Sequence, residues 1–266
     1  MRTITAAVFL WYNYTASILN EEAIAMAKMR LDKLLAHAGV GTRKQVKKLI
    51  KKGAVTVNGQ PARDAGMIID PSHDEVFMDD ARINYREMIY IMMNKPKGVI
   101  TSTYDPSERT VVDLLPPEMT ILNPSPVGRL DKDTEGLLLI TNDGELAHRL
   151  LSPKKKVVKK YYAQIQGIVD ENDVQAFEEG ITLEDGYKTL PAGLEIIRAA
   201  DVSEVYVYLT EGKYHQVKRM FKALDKHVIY LKRVAMGSLI LDEDLEPGKW
   251  RELTEEEVAS LKESIT

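Results

Sequence analysis

Residues 29–59 read MRLDKLLAHAGVGTRKQVKKLIKKGAVTVNG, and three successive patterns in them specify three local structures. Leu31, Leu34 and Leu35 recur at helical spacing between Arg30 and His37, and Gly39 stands where such a helix would stop. Thr42-Arg-Lys-Gln45 has the form of a capping box. The helix it opens carries Val46, Leu49 and Ile50 along one side, with Lys44, Lys47, Lys48 and Lys51 largely on the others. From Gly53 the pattern changes to alternation around Asn58-Gly59, the strongest short-range signal for a tight hairpin. Two short helices and a hairpin are therefore expected as one compact unit.

The same stretch is strongly basic, although the chain of 266 residues carries a net charge of -4. Between residues 30 and 63 nine cations (Arg30, Lys33, Arg43, Lys44, Lys47, Lys48, Lys51, Lys52 and Arg63) face a single acid, Asp32. A lysine-rich helix by itself is usually a solvated surface. A whole module of one sign fits a phosphate backbone instead, because each neutralised phosphate releases condensed counterions. A second cluster, Lys154, Lys155, Lys156, Lys159 and Lys160, lies mid-chain, and the tail from Asp242 is acidic. In residue type and order, positions 29–88 resemble an S4 domain, a small RNA-binding module. The resemblance implies structured RNA read by shape and backbone. It says nothing about catalysis.

With 44% hydrophobic residues the chain can bury a substantial core. It has no cysteine, which excludes disulfides, a thiolate nucleophile and Cys-ligated metal sites, and which fits a reducing compartment; a cytoplasmic location is expected. Residues 1–28 form a mildly apolar run broken by Asn13, Asn20 and two glutamates, too interrupted for a membrane span and without the features of a signal peptide. They read as a poorly ordered N-terminal extension, or an upstream start before Met29. From Ile89 to the end, strand-like runs at 89–93, 99–103, 137–141, 161–166, 205–209 and 228–231 mix with helical patterns at 146–151, 174–179, 216–224 and 254–262. Their irregular alternation predicts an α+β domain over 89–266 with a mixed, mainly antiparallel sheet. There is no Walker motif and no GxGxxG, so no nucleotide cofactor is expected.

Within that domain, residues 128–145 read GRLDKDTEGLLLITNDGE, five acids around an apolar run. Asp131, Asp133 and Glu135 before Gly136 match the opening of an EF-hand loop. The loop should end in a bidentate Glu, but its ninth and twelfth positions are Leu139 and Asn142, which rules calcium out. Asp131 and Asp133 also have the spacing of a catalytic carboxylate pair. The bland reading is a solvated polar turn before a buried strand. His37, His73, His148, His215 and His227 show no metal-binding spacing, so no metal is expected.

The wider pattern decides between these readings. Gly128-Arg-Leu-Asp131 with the following Thr134-x-Gly136 and apolar run resembles the active-site segment of pseudouridine synthases, most closely the RsuA-type branch that modifies small-subunit ribosomal RNA. Asn94-Lys-Pro-Lys-Gly98, Lys160-Tyr-Tyr162 and the stretch 211–221, EGKYHQVKRMF, agree in order and type. The resemblance implies that Asp131 is the catalytic aspartate and that Tyr162 packs against the target base, with Tyr161 as the alternative. It implies that Lys218 pairs with the aspartate, with Arg219 as the alternative, and that Arg129 helps displace the base from its stack. Asp133, Glu135, Asp143 and Glu145 become polar turn residues. RNA contacts are expected from Arg30, Arg43, Lys44, Lys47, Lys48, Lys51 and Lys52 in the first unit, and from Lys160, His215, Gln216 and Arg219 in the second.

These roles are chemically coherent. Turning uridine into pseudouridine breaks a glycosidic C–N bond and forms a C–C bond with no net redox change, so no cofactor is required. A carboxylate can act at the sugar as it does elsewhere in glycosyl chemistry, and the target base must leave its stack to be reached. The reading is a monomeric enzyme acting on 16S rRNA or a small-subunit assembly intermediate. Its rivals are a 23S rRNA synthase of the same family and a non-catalytic ribosome-assembly factor.

Overall fold

The computed structural model describes residues 28–83, 85 and 88–265; the expectation for the N-terminal extension lies, apart from residue 28, outside them. The chain divides into two compact units between residues 87 and 88.

In the first unit, α1 (Leu31–His37) and α2 (Arg43–Lys51) bury Leu31, Leu34, Leu35, Val46 and Ile50 against Val55, Val57 and Val76. The capping box at α2 is formed in both directions: Thr42 Oγ1 accepts from the Gln45 amide at 3.4 Å, and Gln45 Oε1 accepts from the Thr42 amide at 2.8 Å. Strands β1 (Val55–Val57) and β2 (Gln60–Pro61) make the hairpin, and β3 (Val76–Met78) pairs on the other side of β1. Asn58 and Gly59 both take positive φ, 50° and 76°, as a type I′ turn requires.

The lone acid of the basic stretch has a structural role. Asp32 is 1% exposed. It accepts two hydrogen bonds from the Arg30 guanidinium, both at 3.1 Å, with the Lys47 ammonium at 3.8 Å. The Arg30 hydrogen bonds hold this carboxyl below the usual range against the opposing effect of burial. Arg30 is thus tied to Asp32 although its side chain is half exposed, and Arg43, Lys44, Lys47, Lys48, Lys51 and Lys52 stand exposed as well.

The second unit is built on a nine-stranded sheet. Its main strands are β4 (Tyr90–Lys95), β5 (Glu135–Thr141), β6 (Lys159–Gln166), β7 (Gly193–Arg198), β8 (Val202–Leu209), β9 (His227–Met236) and β10 (Trp250–Glu252). They lie in the order β7-β8-β6-β9-β5-β4-β10, antiparallel throughout except between β5 and β9. Strands β4 and β5 are near-continuous apolar runs because both their faces are covered: Met92, Leu137 and Leu139 enter one core with Leu146 and Leu150 of α3 (Gly144–Leu151), Ile91, Met93, Leu138 and Ile140 another. Strands β6, β8 and β9 alternate instead. Tyr161, Ala163, Ile165, Val205 and Val207 turn to a third core, closed by α4 (Glu171–Glu179) and α5 (Gln216–Lys222).

The expected strands all overlap observed ones except 99–103, with 89–93 displaced by one residue to begin at Tyr90. That segment makes only a single bridge, Ile100 with Thr110, and runs as a loop, its Thr101 hydroxyl committed to the backbone of Leu130. Strands β7 and β10 escaped the sequence reading. The segment Gly193–Arg198 has no clean alternation, and Trp250–Glu252 is three residues long.

Candidate active site

Asp131 sits in the turn that leads into β5, and its position is set by backbone contacts on three sides. Thr101 Oγ1 donates to the Leu130 carbonyl at 2.7 Å and accepts from the Leu130 amide at 3.1 Å. The Gly98 amide donates to the Lys132 carbonyl at 2.7 Å. Lys95, at the end of β4, is fully buried, and its ammonium donates to the carbonyls of Pro96 (3.0 Å), Asp131 (3.0 Å) and Thr134 (2.9 Å). Three carbonyls satisfy the three donors of an ammonium. Burial pushes the Lys95 ammonium down to about 8, against the pull of Asp131, Asp133 and Glu135. Nothing in the sequence singles out Lys95 for this role, since in Asn94-Lys-Pro-Lys-Gly98 it is one of two lysines.

The far end of the turn is pinned at Gly136. Its φ is +104°, and a β-carbon there would lie 2.2 Å from the Arg233 carbonyl oxygen of β9. The β5–β9 pairing, Arg233 opposite Gly136, therefore requires glycine.

The side-chain partners of Asp131 come from residues 211–221. Lys218, on α5, places its ammonium 3.0 Å from Asp131 Oδ2 and 2.5 Å from Asp133 Oδ1. Burial lowers the Lys218 pKa, but the hydrogen bonds to Asp133 and Asp131 outweigh it and hold it above the ordinary value. Burial is the largest influence on Asp133 and raises it, but the hydrogen bond and charge of Lys218, with the Asp133 backbone amide and His215, together hold its carboxyl below the ordinary value. Asp133 is thus part of the charge cluster and not only a solvated turn residue. Glu135 and Asp143 are also engaged: Glu135 accepts from the Tyr230 hydroxyl at 2.7 Å, and Asp143 caps the helix Gly144–Leu151 while accepting from the Tyr90 hydroxyl at 2.9 Å. Glu145 is exposed. His215 Nε2 lies 3.5 Å from Asp131 Oδ1.

These groups open on a cleft of about 890 Å³ whose walls include Thr101, Arg129, Asp131, Lys132, Lys213 and His215. A smaller recess of about 70 Å³ shares Asp131 and Arg129 with it and adds Tyr161, Leu209, Val217 and Leu231. One carboxylate in a partly apolar recess, with several cations around the mouth, suits a neutral base on an anionic backbone.

Several expected residues lie elsewhere. Tyr162 is on the opposite face of β6 from Tyr161, its hydroxyl donating to Glu204 at 2.8 Å and its ring edge-on to Tyr206 and Tyr230. Burial and the Glu204 hydrogen bond both raise its pKa. The alternation in KKYYAQIQ carried the signal: Tyr161 shares parity with the buried Ala163 and Ile165, Tyr162 with Lys160 and Gln164. Lys160 is on that opposite face too, 3.7 Å above the Tyr206 ring. Arg219 turns away to an ion pair with Asp185 at 2.6 Å. Gln216, by contrast, stays at the site: it is 4% exposed, lines the smaller recess beside Asp131 and Tyr161, and is bound to Glu211 and to the Lys213 amide, so it also shapes the loop. Among the described residues no group of three or more His, Asp or Glu is arranged to hold a metal, and no helix is long and apolar enough to cross a membrane.

A mixed, mainly antiparallel α+β domain with a carboxylate in a cationic cleft, preceded in sequence by a separate basic unit, suits an RNA-modifying enzyme of modular build. The family model described as RNA pseudouridylate synthase matches residues 89–223, and that of the S4 domain matches residues 29–76. The chain is 53% identical to YtzG of Bacillus subtilis, named an RNA pseudouridine synthase, over 88% of this chain and 99% of the relative. It is 44% identical to a Vibrio cholerae protein named ribosomal small subunit pseudouridine synthase A, over 88% of this chain and 99% of that one. A crystal structure of a pseudouridylate synthase superimposes with a TM-score of 0.62 at 37% identity, covering 88% of this chain and 99% of the other. The chain belongs to the RNA pseudouridine synthase family, in its RsuA-type branch with an N-terminal S4 domain.

Proposed function

We propose that this enzyme isomerises one uridine of 16S ribosomal RNA, free or in a small-subunit assembly intermediate, through the carboxylate of Asp131 and without a cofactor. The observation that carries the proposal is the Asp131–Lys218 contact of 3.0 Å at a recess walled by Tyr161. The name of the Vibrio cholerae relative supports the small-subunit substrate and, with it, action in the cytoplasm. The monomeric state expected from the sequence is part of the same proposal.

In the reaction the N1–C1′ bond of uridine breaks, the base turns, and a C5–C1′ bond forms. The proton on C5 is lost and N1 gains one, so the product is an isomer and no oxidant or group donor enters. Asp131 acts at the sugar. Lys218 neutralises and orients it, with Asp133 as a second anchor for the ammonium. Tyr161 packs on the detached base and limits its motion, and Arg129 occupies the stack that the uridine leaves.

The test is to incubate the purified protein with unmodified 16S rRNA, 23S rRNA and assembly intermediates, and to map pseudouridine by chemical adduct and primer extension. A new site in 16S rRNA is expected. Modification of 23S rRNA alone would reassign the substrate, and no modification of any RNA would leave the non-catalytic reading.

Two further outcomes follow from the site. Tyr161→Leu should lower kcat roughly 100-fold while Tyr162→Leu stays within a few-fold and loses some thermal stability with its Glu204 hydrogen bond. Single-turnover assays and melting curves on both variants measure this; the reverse pattern would return the base-packing role to Tyr162. In the S4 domain, changing Lys44, Lys47, Lys48 and Lys51 together to Gln should weaken RNA binding and flatten the slope of log K against log[salt] by roughly 2–4. Filter binding across a salt series reads the slope, and an unchanged value would leave that helix face without a phosphate contact.

A further inference from the structure

We propose that Tyr214, stacked on His215 at the cleft, is a platform for the base adjacent to the target uridine. The inference rests on the uridine-isomerase reading above and adds a substrate contact to it. Tyr214 is 71% exposed. Isolated exposed aromatics are common, so exposure alone carries nothing.

The loop around this ring makes the difference. Tyr214 and His215 lie ring on ring, centroids 3.8 Å apart and planes 18° from parallel. His215 in turn reaches Asp131 at 3.5 Å. Its backbone is left-handed, φ 50° and ψ 33°, a conformation costly for a residue with a β-carbon and kept only where the surroundings impose it.

Those surroundings are a clamp on Glu211. Its carboxylate accepts from Gln216 Nε2 at 2.6 Å, the Tyr187 hydroxyl at 2.7 Å and the Leu190 amide at 3.0 Å. Gln216 Oε1 then accepts from the Lys213 amide at 2.9 Å. The loop is therefore fixed on both sides of Tyr214, and the ring offers a preorganised aromatic surface in the same cleft wall as Arg129 and Asp131.

A uridine drawn toward Asp131 leaves its neighbour with one stacking face uncovered. Tyr214 stands one ring beyond His215, itself in contact with the carboxylate, so a base laid on its open face extends a pile that begins at the reacting group. Every base has a π-face, so this contact supports base extrusion without selecting sequence.

The test compares Tyr214→Ala and Tyr214→Phe with wild type, by kcat/KM, on an RNA that the wild-type protein modifies. Two further RNAs carry an abasic nucleotide immediately 5′ or 3′ of the target. The alanine variant should lose about tenfold or more on the intact RNA, with the phenylalanine variant within about twofold. On one of the abasic RNAs wild type should fall to the level of the alanine variant, so that the two losses do not add. An alanine variant within twofold of wild type overturns the proposal. A loss that persists undiminished on both abasic RNAs also overturns it, because it marks a role in loop structure. If wild type modifies no RNA at all, the isomerase reading itself fails and takes the platform with it.

Discussion

Replacing Asp131 by asparagine should reduce turnover by about 10⁴-fold or more while RNA affinity stays within a few-fold and the fold is retained. Asparagine keeps the shape of the side chain but offers neither a nucleophile nor a base to the sugar, and loss of a reacting group characteristically costs rates of that order. Affinity should be spared because, on the proposed reading, it comes from cations on the phosphate backbone and not from the carboxylate. The fold is spared for a reason specific to this site. Lys218 keeps Asp133 at 2.5 Å when the Asp131 charge is removed, so no ammonium is left buried without a partner. Single-turnover pseudouridine formation, filter binding and thermal melting check the three parts. Residual turnover near wild type would move the chemistry to another residue, Asp133 first.

Lys95→Met should be the most damaging change outside the cleft, lowering both stability and kcat. Methionine fills much of the same volume, but the carbonyls of Pro96, Asp131 and Thr134 lose a common donor, Thr134 in a fully buried place and the other two in half-buried ones. Unsatisfied buried acceptors cost about 1–3 kcal/mol each. Part of that is recovered because the Asp131 carbonyl also accepts from the Thr134 amide at 3.1 Å. A net loss of about 3 kcal/mol corresponds to a fall in Tm of about 6–12 °C for a domain of this size. The turn carrying Asp131 would relax, and a displacement of about 1 Å at a reacting group costs on the order of 100-fold in rate. Because Lys95 contacts the turn and not the cleft, KM should change little. Melting curves together with kcat and KM test this, and a variant with wild-type Tm and kcat would show that the turn holds itself.

The parts of this protein legible in its sequence are those whose causes lie close together along the chain. The capping box at Thr42 and Gln45 and the left-handed pair Asn58-Gly59 are settled within a few residues, by hydrogen bonds and sterics that no distant contact overrides. The basic character of α2 was equally plain, and so was the apolar run Leu137–Ile140 as core. The alternation of β6 also separates Tyr161 from Tyr162 locally, and the motif resemblance obscured it by pointing one residue further on.

What the tertiary structure decided concerns groups whose partners are far away in sequence. Lys218 reaches Asp131 across 87 positions and Asp133 across 85, and Lys95 reaches the Asp131 carbonyl across 36. No local spacing distinguishes Lys218 from Arg219, or a buried Lys95 from an exposed Lys97. Gln216 and His215 illustrate the same limit, one turned inward to Glu211 and the other held left-handed against Asp131. Through the resemblance of its motifs the sequence pointed to an S4 module followed by a pseudouridine synthase domain, and the family models match both, over residues 29–76 and 89–223. Which side chains face that aspartate was decided by the pairing of β5 with β9 and the docking of α5, because only chain closure brings a carboxylate and its counter-charge within 3.0 Å.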